Sequence, residues 1–151
     1  MEDDQALAGE LTDSGHLLRQ RVYYEDTDFS GVVYHARYLH FLERGRTDCI
    51  RLLGVSQGRL HAGDADDSQG LAFVVRRMEI DFLLPARMDD ILTIRTWATK
   101  LKGARMTLAQ EISAKGKTLL TATVLVAVIN AAGRPRRLPD AIAARLQVAE
   151  G

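Results

Sequence analysis

The sequence predicts an α+β domain in which an antiparallel sheet wraps around one long central helix, in the order β-α-β-β-β-β. Two patterns carry this prediction. Residues 35–53 place apolar side chains at the helical spacing of about 3.6 residues. After Gly70 the pattern changes to an alternation of apolar and polar side chains, with the period of about two residues that is typical of strands. Short glycine-containing turns then join the later strands as antiparallel neighbours.

The chain begins with acidic and small polar residues that show little periodicity. We therefore expect residues 1–15 to form a flexible leader and residues 16–151 to form the folded domain. The strand that follows the leader places apolar side chains on one face and basic side chains on the other. It is expected to end at Tyr24 or Glu25, with Tyr24 on the same face as Val22.

The helix is expected to begin near His35 and to end at Gly54, which can cap a helix C-terminus. Gly45 lies inside it, where glycine costs about 1 kcal/mol relative to alanine. We expect that a neighbouring backbone packs closely against this position. Residues 56–70 are rich in Gly, Asp and Ser and are predicted to form a loop that could serve as a flap.

Four strands and a short helix follow. Pro85 ends the first of these strands, and two Gly-containing turns separate the next three. The last strand, residues 119–129, is almost continuously apolar, so we expect both of its faces to be covered. The basic segment 133–137 is expected to be an exposed tail rather than a phosphate contact, and a short helix is predicted near residues 140–147.

The composition is that of an ordinary globular domain. The 151 residues carry 20 basic and 20 acidic side chains, for a formal net charge of zero. This balance gives no support to nucleic-acid binding. Cys49 is the only cysteine, which excludes an intramolecular disulfide and favours a reducing compartment. The sequence has no long apolar run and its first residues are acidic, so we expect a cytoplasmic protein without a membrane segment.

The turn between the first strand and the helix holds the strongest candidate for chemistry. Asp28 and His35 lie seven residues apart and bracket a turn that contains Gly31. A carboxylate can act as base or nucleophile toward a carbonyl group, and the free N–H groups at a helix N-terminus can hold an oxyanion. An isolated Asp in a turn, however, more commonly bonds only to nearby backbone N–H groups.

The run from Arg21 to Thr47, RVYYEDTDFSGVVYHARYLHFLERGRT, resembles the signature of the YbgC-type acyl-CoA thioesterases, a branch of the 4-hydroxybenzoyl-CoA thioesterase-like hotdog proteins. That signature has the form Y-x-x-x-D-x-x-G-x-V-Y-H-A-N-Y, followed by a helix carrying F-x-E-R. The matching positions are Tyr24, Asp28, Gly31, Val33, Tyr34, His35, Ala36, Tyr38, Phe41, Glu43 and Arg44. Arg37 stands where the family usually has Asn, which changes hydrogen bonding near the helix start.

The resemblance implies a hotdog fold, hydrolysis of an acyl-CoA thioester and three catalytic residues. Asp28 would be the reacting carboxylate, and whether it acts as base or nucleophile stays open. His35 would donate its backbone N–H to the oxyanion, and its imidazole could orient the substrate or share in proton transfer. The Tyr24 hydroxyl could position water or the carboxylate. No cofactor or metal is expected, because thiolates leave readily.

Glu43 is a second carboxylate of interest, since other hotdog thioesterases use a helix carboxylate as base. We expect instead that Glu43 forms an ion pair with Arg44 or a subunit contact, and that Arg46 joins this network.

The resemblance also implies partners. Hotdog thioesterases are typically homodimers or homotetramers with sites at subunit interfaces, and an acyl carrier protein is a further candidate partner. Family members are often encoded beside the Tol–Pal system, and some are linked to lipid metabolism. Candidate contacts for the CoA phosphates are Arg76, Arg77, Arg87, Arg134 and Arg136. The alternatives are a non-catalytic acyl-thioester binding module and a hotdog acyl-CoA hydratase or dehydratase.

Overall fold

The computed structural model describes residues 7–54 and 70–146. These residues form one six-stranded antiparallel sheet, one long helix and one short helix. The elements are β1 Glu10–Thr12, β2 Gly15–Arg21, α1 Arg37–Leu52, β3 Ala72–Phe82, β4 Ile91–Lys102, β5 Arg105–Ala114, β6 Lys117–Ile129 and α2 Asp140–Arg145. The strands lie in the order β1-β2-β4-β5-β6-β3. The predicted flap, apart from Gly70, lies outside the described residues.

The predicted α+β hotdog arrangement is confirmed, with one additional strand. Residues 10–12 were expected within the flexible leader, but they form β1 because Leu11 pairs with His16 across a tight hairpin. The first long strand was predicted to reach Tyr24 and ends at Arg21, since residues 24–26 turn into a short 3-10 helix. None of the described helices is both long and apolar enough to cross a membrane.

The central helix packs its apolar side chains into two core clusters. The cluster at its N-terminal half contains Tyr38, Phe41 and Leu42, which pack against β2, β4, β5 and β6. The cluster at its C-terminal half contains Cys49 and Ile50, which pack against β4, β5 and β6. Burial of this apolar stripe is what holds a helix against a sheet.

A layer of polar residues lies between the two clusters. Thr96 and Gln110 are buried on the inward faces of β4 and β5, opposite Gly45 of α1. A Cβ atom on Gly45 would come within 2.7 Å of Ile94 Cγ2 and 3.1 Å of Thr96 Oγ1. Close packing at Gly45 was therefore predicted correctly, although side chains rather than a backbone approach it.

The last strand does not have two covered faces in the single chain. Along β6, buried residues alternate with partly exposed ones. The prediction that both faces are covered is wrong for the isolated chain because α1 packs on one face of the sheet only.

The two edges of the sheet differ greatly. β1 has three residues, whereas β3 has eleven and, within residues 7–54 and 70–146, pairs with β6 alone. One side of the β3 backbone therefore has no strand partner in the described part of the chain. Large apolar side chains are exposed on β3 and just after it: Val74, Val75, Phe82, Leu83 and Leu84. A long free edge with apolar side chains is a typical site of strand pairing with another chain.

Candidate active site

The turn between β2 and α1 is a tight hairpin. Thr27 and Val33 form an antiparallel bridge, and the Asp28 N–H donates to the carbonyl of Val32 at 3.0 Å. The Gly31 N–H donates back to the Asp28 carbonyl at 3.1 Å. Gly31 has φ of 85°, a conformation that residues with a Cβ adopt rarely. The turn therefore has a closed shape fixed by its own backbone.

The Asp28 carboxylate is partly exposed beside the tip of this hairpin. Its Oδ1 accepts hydrogen bonds from the hydroxyl of Ser30 and, at 2.8 Å, from the Ser30 backbone N–H. The hydroxyl contact, followed by the backbone N–H groups of Ser30 and Val32, lowers the pKa of Asp28 below its ordinary value. The shift favours the charged form of the carboxylate, which is the form that a base or nucleophile needs.

His35 lies two residues before the first residue of α1 and directly before the N-cap residue, Ala36. Its imidazole is exposed and packs against the ring of Tyr34, with centroids 4.6 Å apart. Within residues 7–54 and 70–146, no acceptor takes a hydrogen bond from the His35 backbone N–H. The position also lies at the positive end of a 16-residue helix, which favours a bound anion.

Asp28 and His35 belong to one hairpin but are not bonded to each other among the described contacts. The Asp28 carboxylate bonds to Ser30, and the ring contact of His35 is with Tyr34. The segment between β2 and α1 therefore carries both the Asp28 carboxylate and the His35 backbone N–H, which has no acceptor among the described residues.

Tyr24 does not occupy the position that the strand pattern predicted. Because β2 ends at Arg21, Tyr24 begins the short 3-10 helix, and its side chain is 82% exposed rather than beside buried Val22. Within the described part of the chain its hydroxyl has no hydrogen-bond partner. The role of Tyr24 in catalysis stays a prediction.

Asp26 is an anchor that the sequence patterns did not identify. Asp26 is 3% exposed, and its Oδ1 accepts a hydrogen bond from Arg37 Nε at 2.6 Å. Its Oδ2 accepts from the Tyr23 N–H at 2.8 Å, and its carbonyl accepts from the Tyr34 N–H at 3.1 Å. The position of Arg37 could have indicated such a partner. A cation in the first turn of a helix is unfavourable unless a carboxylate lies nearby.

The expected ion pair between Glu43 and Arg44 is absent among the described residues. Consecutive residues of a helix do not face each other. Arg44 instead donates to Gln20 Oε1 at 3.0 Å. Arg46 donates to Gln110 Oε1 at 3.0 Å, and burial lowers its pKa while the nearby charge of Glu43 opposes that shift.

A groove of about 80 Å³ separates α1 from the edge strand β3. Glu43 and Thr47 line it on the helix side, and Phe73 and Val75 line it on the strand side. Glu43 is exposed at this groove, beside β3.

Two of the candidate phosphate contacts already have partners. Arg77 pairs with Glu79, and Arg136 donates to the Gly70 carbonyl at 2.6 Å. Four residues of segment 133–137 are exposed, as predicted, whereas Arg136 is half-buried. No cluster of His, Cys, Asp and Glu suited to a metal ion occurs within residues 7–54 and 70–146.

Comparison with known proteins assigns the family. The model of the thioesterase superfamily matches residues 30–121. The acyl-CoA thioesterase YbgC of Haemophilus influenzae is 43% identical over 120 residues, which cover 80% of this chain and 85% of that protein. The acyl-CoA thioester hydrolase YbgC of Escherichia coli O157:H7 is 43% identical over 129 residues, covering 84% and 92%.

Solved structures agree with these relatives. A probable thioesterase from Bartonella henselae superposes with a TM-score of 0.76 at 50% identity, covering 82% of this chain and 98% of that one. A thioesterase from Thermus thermophilus, solved in complex with coenzyme A and Zn, gives a TM-score of 0.69 at 27% identity, covering 86% and 90%. The chain belongs to the thioesterase superfamily, and over most of its length it is similar to thioesterases of the YbgC type.

Proposed function

We propose that the protein is an acyl-CoA thioesterase, which hydrolyses an acyl-CoA to a free carboxylic acid and CoA. One observation carries the proposal: the Asp28 carboxylate lies in a hydrogen-bonded turn that leads into the N-terminus of α1, where the His35 N–H has no partner among the described residues. The names of the YbgC relatives support the same substrate class.

Two chemical routes fit this site. In the first, Asp28 takes a proton from water, the resulting hydroxide adds to the thioester carbon, and the oxyanion is held by the His35 N–H. Collapse then breaks the C–S bond, and the CoA thiolate takes up the proton. In the second, the Asp28 carboxylate itself attacks, expels CoA and forms a mixed anhydride that water hydrolyses.

A single turnover in ¹⁸O-labelled water separates these routes. Attack by Asp28 followed by hydrolysis of the anhydride at the aspartyl carbon leaves the label in Asp28, whereas the base route places all of it in the released acid. Hydrolysis of the anhydride at the acyl carbon also labels the acid, so trapping the anhydride with hydroxylamine completes the test.

We also propose that the working unit is at least a homodimer joined along β3. The eleven-residue strand β3 carries exposed apolar residues and has one backbone side without a partner among the described residues, whereas β1 is too short to support a comparable pairing. A second copy on this edge would cover the groove beside Glu43 and Val75, and would place its own residues there. Pairing of two such dimers would give the homotetramer.

The proposed activity is tested by thiol release from a panel of short aliphatic, long aliphatic and aromatic acyl-CoAs, with an acyl carrier protein thioester as a further donor. We expect that Asp28→Asn lowers kcat by about 10²–10⁴-fold on any substrate that the native protein hydrolyses. Asp13→Asn is the control, because Asp13 is an exposed carboxylate in the β1–β2 turn.

Equal turnover by the native protein and Asp28→Asn would refute the catalytic assignment. Turnover of no thioester, with retained acyl-CoA binding, would favour the binding module. Addition of water to an enoyl-CoA would favour a hydratase.

A further inference from the structure

We propose that Asp26 is a positioning residue for the reaction: its buried carboxylate, held by Arg37, fixes the hairpin that carries Asp28 against the start of α1. The inference rests on the proposed catalytic role of Asp28 and adds to it the part of the chain that sets the geometry of that residue.

Asp26 joins three separate points of the chain. Its carboxylate bonds to Arg37 in the first turn of α1 and to the N–H of Tyr23, which precedes the hairpin. Its carbonyl accepts from the N–H of Tyr34 on the returning arm. The entrance of the hairpin, its exit and the helix are therefore tied to a single residue.

Asp28 and His35 lie close in sequence to the residues that bond to Asp26. Asp28 follows Asp26 by two residues, and His35 lies between Tyr34 and Arg37. Between these contacts the Thr27–Val33 bridge joins the two arms of the hairpin. Loss of the Asp26 contacts would thus change the position of the Asp28 carboxylate relative to the His35 N–H. A displacement of about 1 Å can lower a rate by about 10²-fold.

Burial distinguishes Asp26 from the neighbouring acid on the same arginine. Glu25 also pairs with Arg37, at 3.7 Å, but its side chain is 74% exposed, whereas that of Asp26 is 4% exposed. Exposed ion pairs hold side chains weakly, while a buried carboxylate that loses its partner is strongly disfavoured. Asp26 is therefore the anchor, and Glu25 provides a matched control on the same cation.

The experiment compares kcat, KM and thermal stability for the native protein, Asp26→Asn, Glu25→Gln and Arg37→Met on one acyl-CoA. We expect Asp26→Asn to lower kcat by at least about tenfold with KM nearly unchanged, because substrate binding does not require the exact placement of Asp28. Arg37→Met, which removes the donor but keeps the length of the side chain, should lower kcat in the same direction. Glu25→Gln should match the native protein.

A double variant tests whether Asp26 acts through Asp28. In the Asp28→Asn background, Asp26→Asn should cause no further fall in the residual rate, since the group that it positions is already lost. A purely structural role would instead lower the residual rate and the melting temperature together in both backgrounds.

Each outcome decides the inference. Unchanged kcat in Asp26→Asn, together with loss of activity in Asp28→Asn, overturns the role of Asp26 and leaves the proposed function intact. Full activity of Asp28→Asn overturns both. Should Asp26→Asn fail to fold, Arg37→Met decides: a fall in kcat at nearly constant KM in the folded protein supports the inference, and native kcat overturns it.

Discussion

The side-chain amide of Gln110, in the middle of β5, donates a hydrogen bond of 2.9 Å to the main-chain carbonyl of Leu42, in the middle of α1. The same nitrogen lies 2.9 Å from Thr96 Oγ1, and the Gln110 Oε1 accepts from Arg46. One buried side chain therefore joins the helix to two strands at the level of Gly45. Sliding the helix by one turn would break both bonds between Gln110 and α1, those with Leu42 and Arg46.

Replacing Gln110 with Met should destabilise the protein by about 1–3 kcal/mol, because the substitution removes the hydrogen bonds that Gln110 makes to the buried Thr96 hydroxyl, to Arg46 and to the Leu42 carbonyl. Urea denaturation followed by circular dichroism measures the change. Glu111→Gln, on the outward face of the same strand, should stay within about 0.5 kcal/mol of the native protein. Equal midpoints for Gln110→Met and the native protein would show that the polar layer contributes nothing.

Gly45→Ala should also destabilise the protein, by about 1–3 kcal/mol, although alanine is the better helix former. The new Cβ would meet Ile94 Cγ2 at 2.7 Å and Gln110 Nε2 at 3.2 Å, so the helix would have to move away from the sheet. The same urea experiment applies, with Arg51→Ala at an exposed position of α1 as the control. A more stable Gly45→Ala protein would contradict the close approach of helix and sheet.

Ser30→Ala should shift the pH dependence of hydrolysis. The Ser30 hydroxyl is the largest cause of the lowered pKa of Asp28, so its removal raises that pKa toward the ordinary value. The reactive carboxylate is then lost at a higher pH, and the acidic limb of the kcat/KM profile moves to higher pH.

Profiles recorded between about pH 3 and pH 7 span the carboxylate range. Ser14→Ala, in the β1–β2 turn, should leave the acidic limb in place. An acidic limb that stays fixed in Ser30→Ala as well would mean that Asp28 does not control it.

Val75→Glu should convert the proposed dimer into monomers. Val75 is 42% exposed on the free edge strand, and a charge there would be buried if a second β3 paired with it. Sedimentation velocity measures the mass. Leu11→Glu is the matched control, because Leu11 is 41% exposed on the opposite edge strand, β1. Dissociation by both variants, or by neither, would argue against association through β3.

The sequence was sufficient to predict most of the fold because its periodic patterns follow burial. Apolar spacing predicted α1 to within about two residues at each end, as is usual for such boundaries. It could not predict β1, whose three residues form a strand only because the β2 backbone lies opposite them. It also placed Tyr24 on a strand, since alternation continues through a segment that the structure turns into a 3-10 helix.

For the candidate site, the sequence predicted roles for Asp28 and His35, which stay predictions, and it did not indicate the buried contacts of Asp26. The first two are recognisable from spacing around a turn and from the family signature. The importance of Asp26 depends on burial, which arises from contacts with residues three, eight and eleven positions away. The expected pair of Glu43 and Arg44 was wrong for a related reason, because adjacency in sequence does not give adjacency on a helix surface.

Cys49 gives the protein an internal reporter of its own folding. It is the single cysteine of the chain, it is 4% exposed in the core beneath α1, and burial raises its pKa to about 12. A thiol-specific dye added to the folded protein should therefore react with released CoA and not with the enzyme. When the core opens, one equivalent of protein thiol becomes reactive. The same dye can thus time both catalysis and unfolding, without a label or an engineered residue.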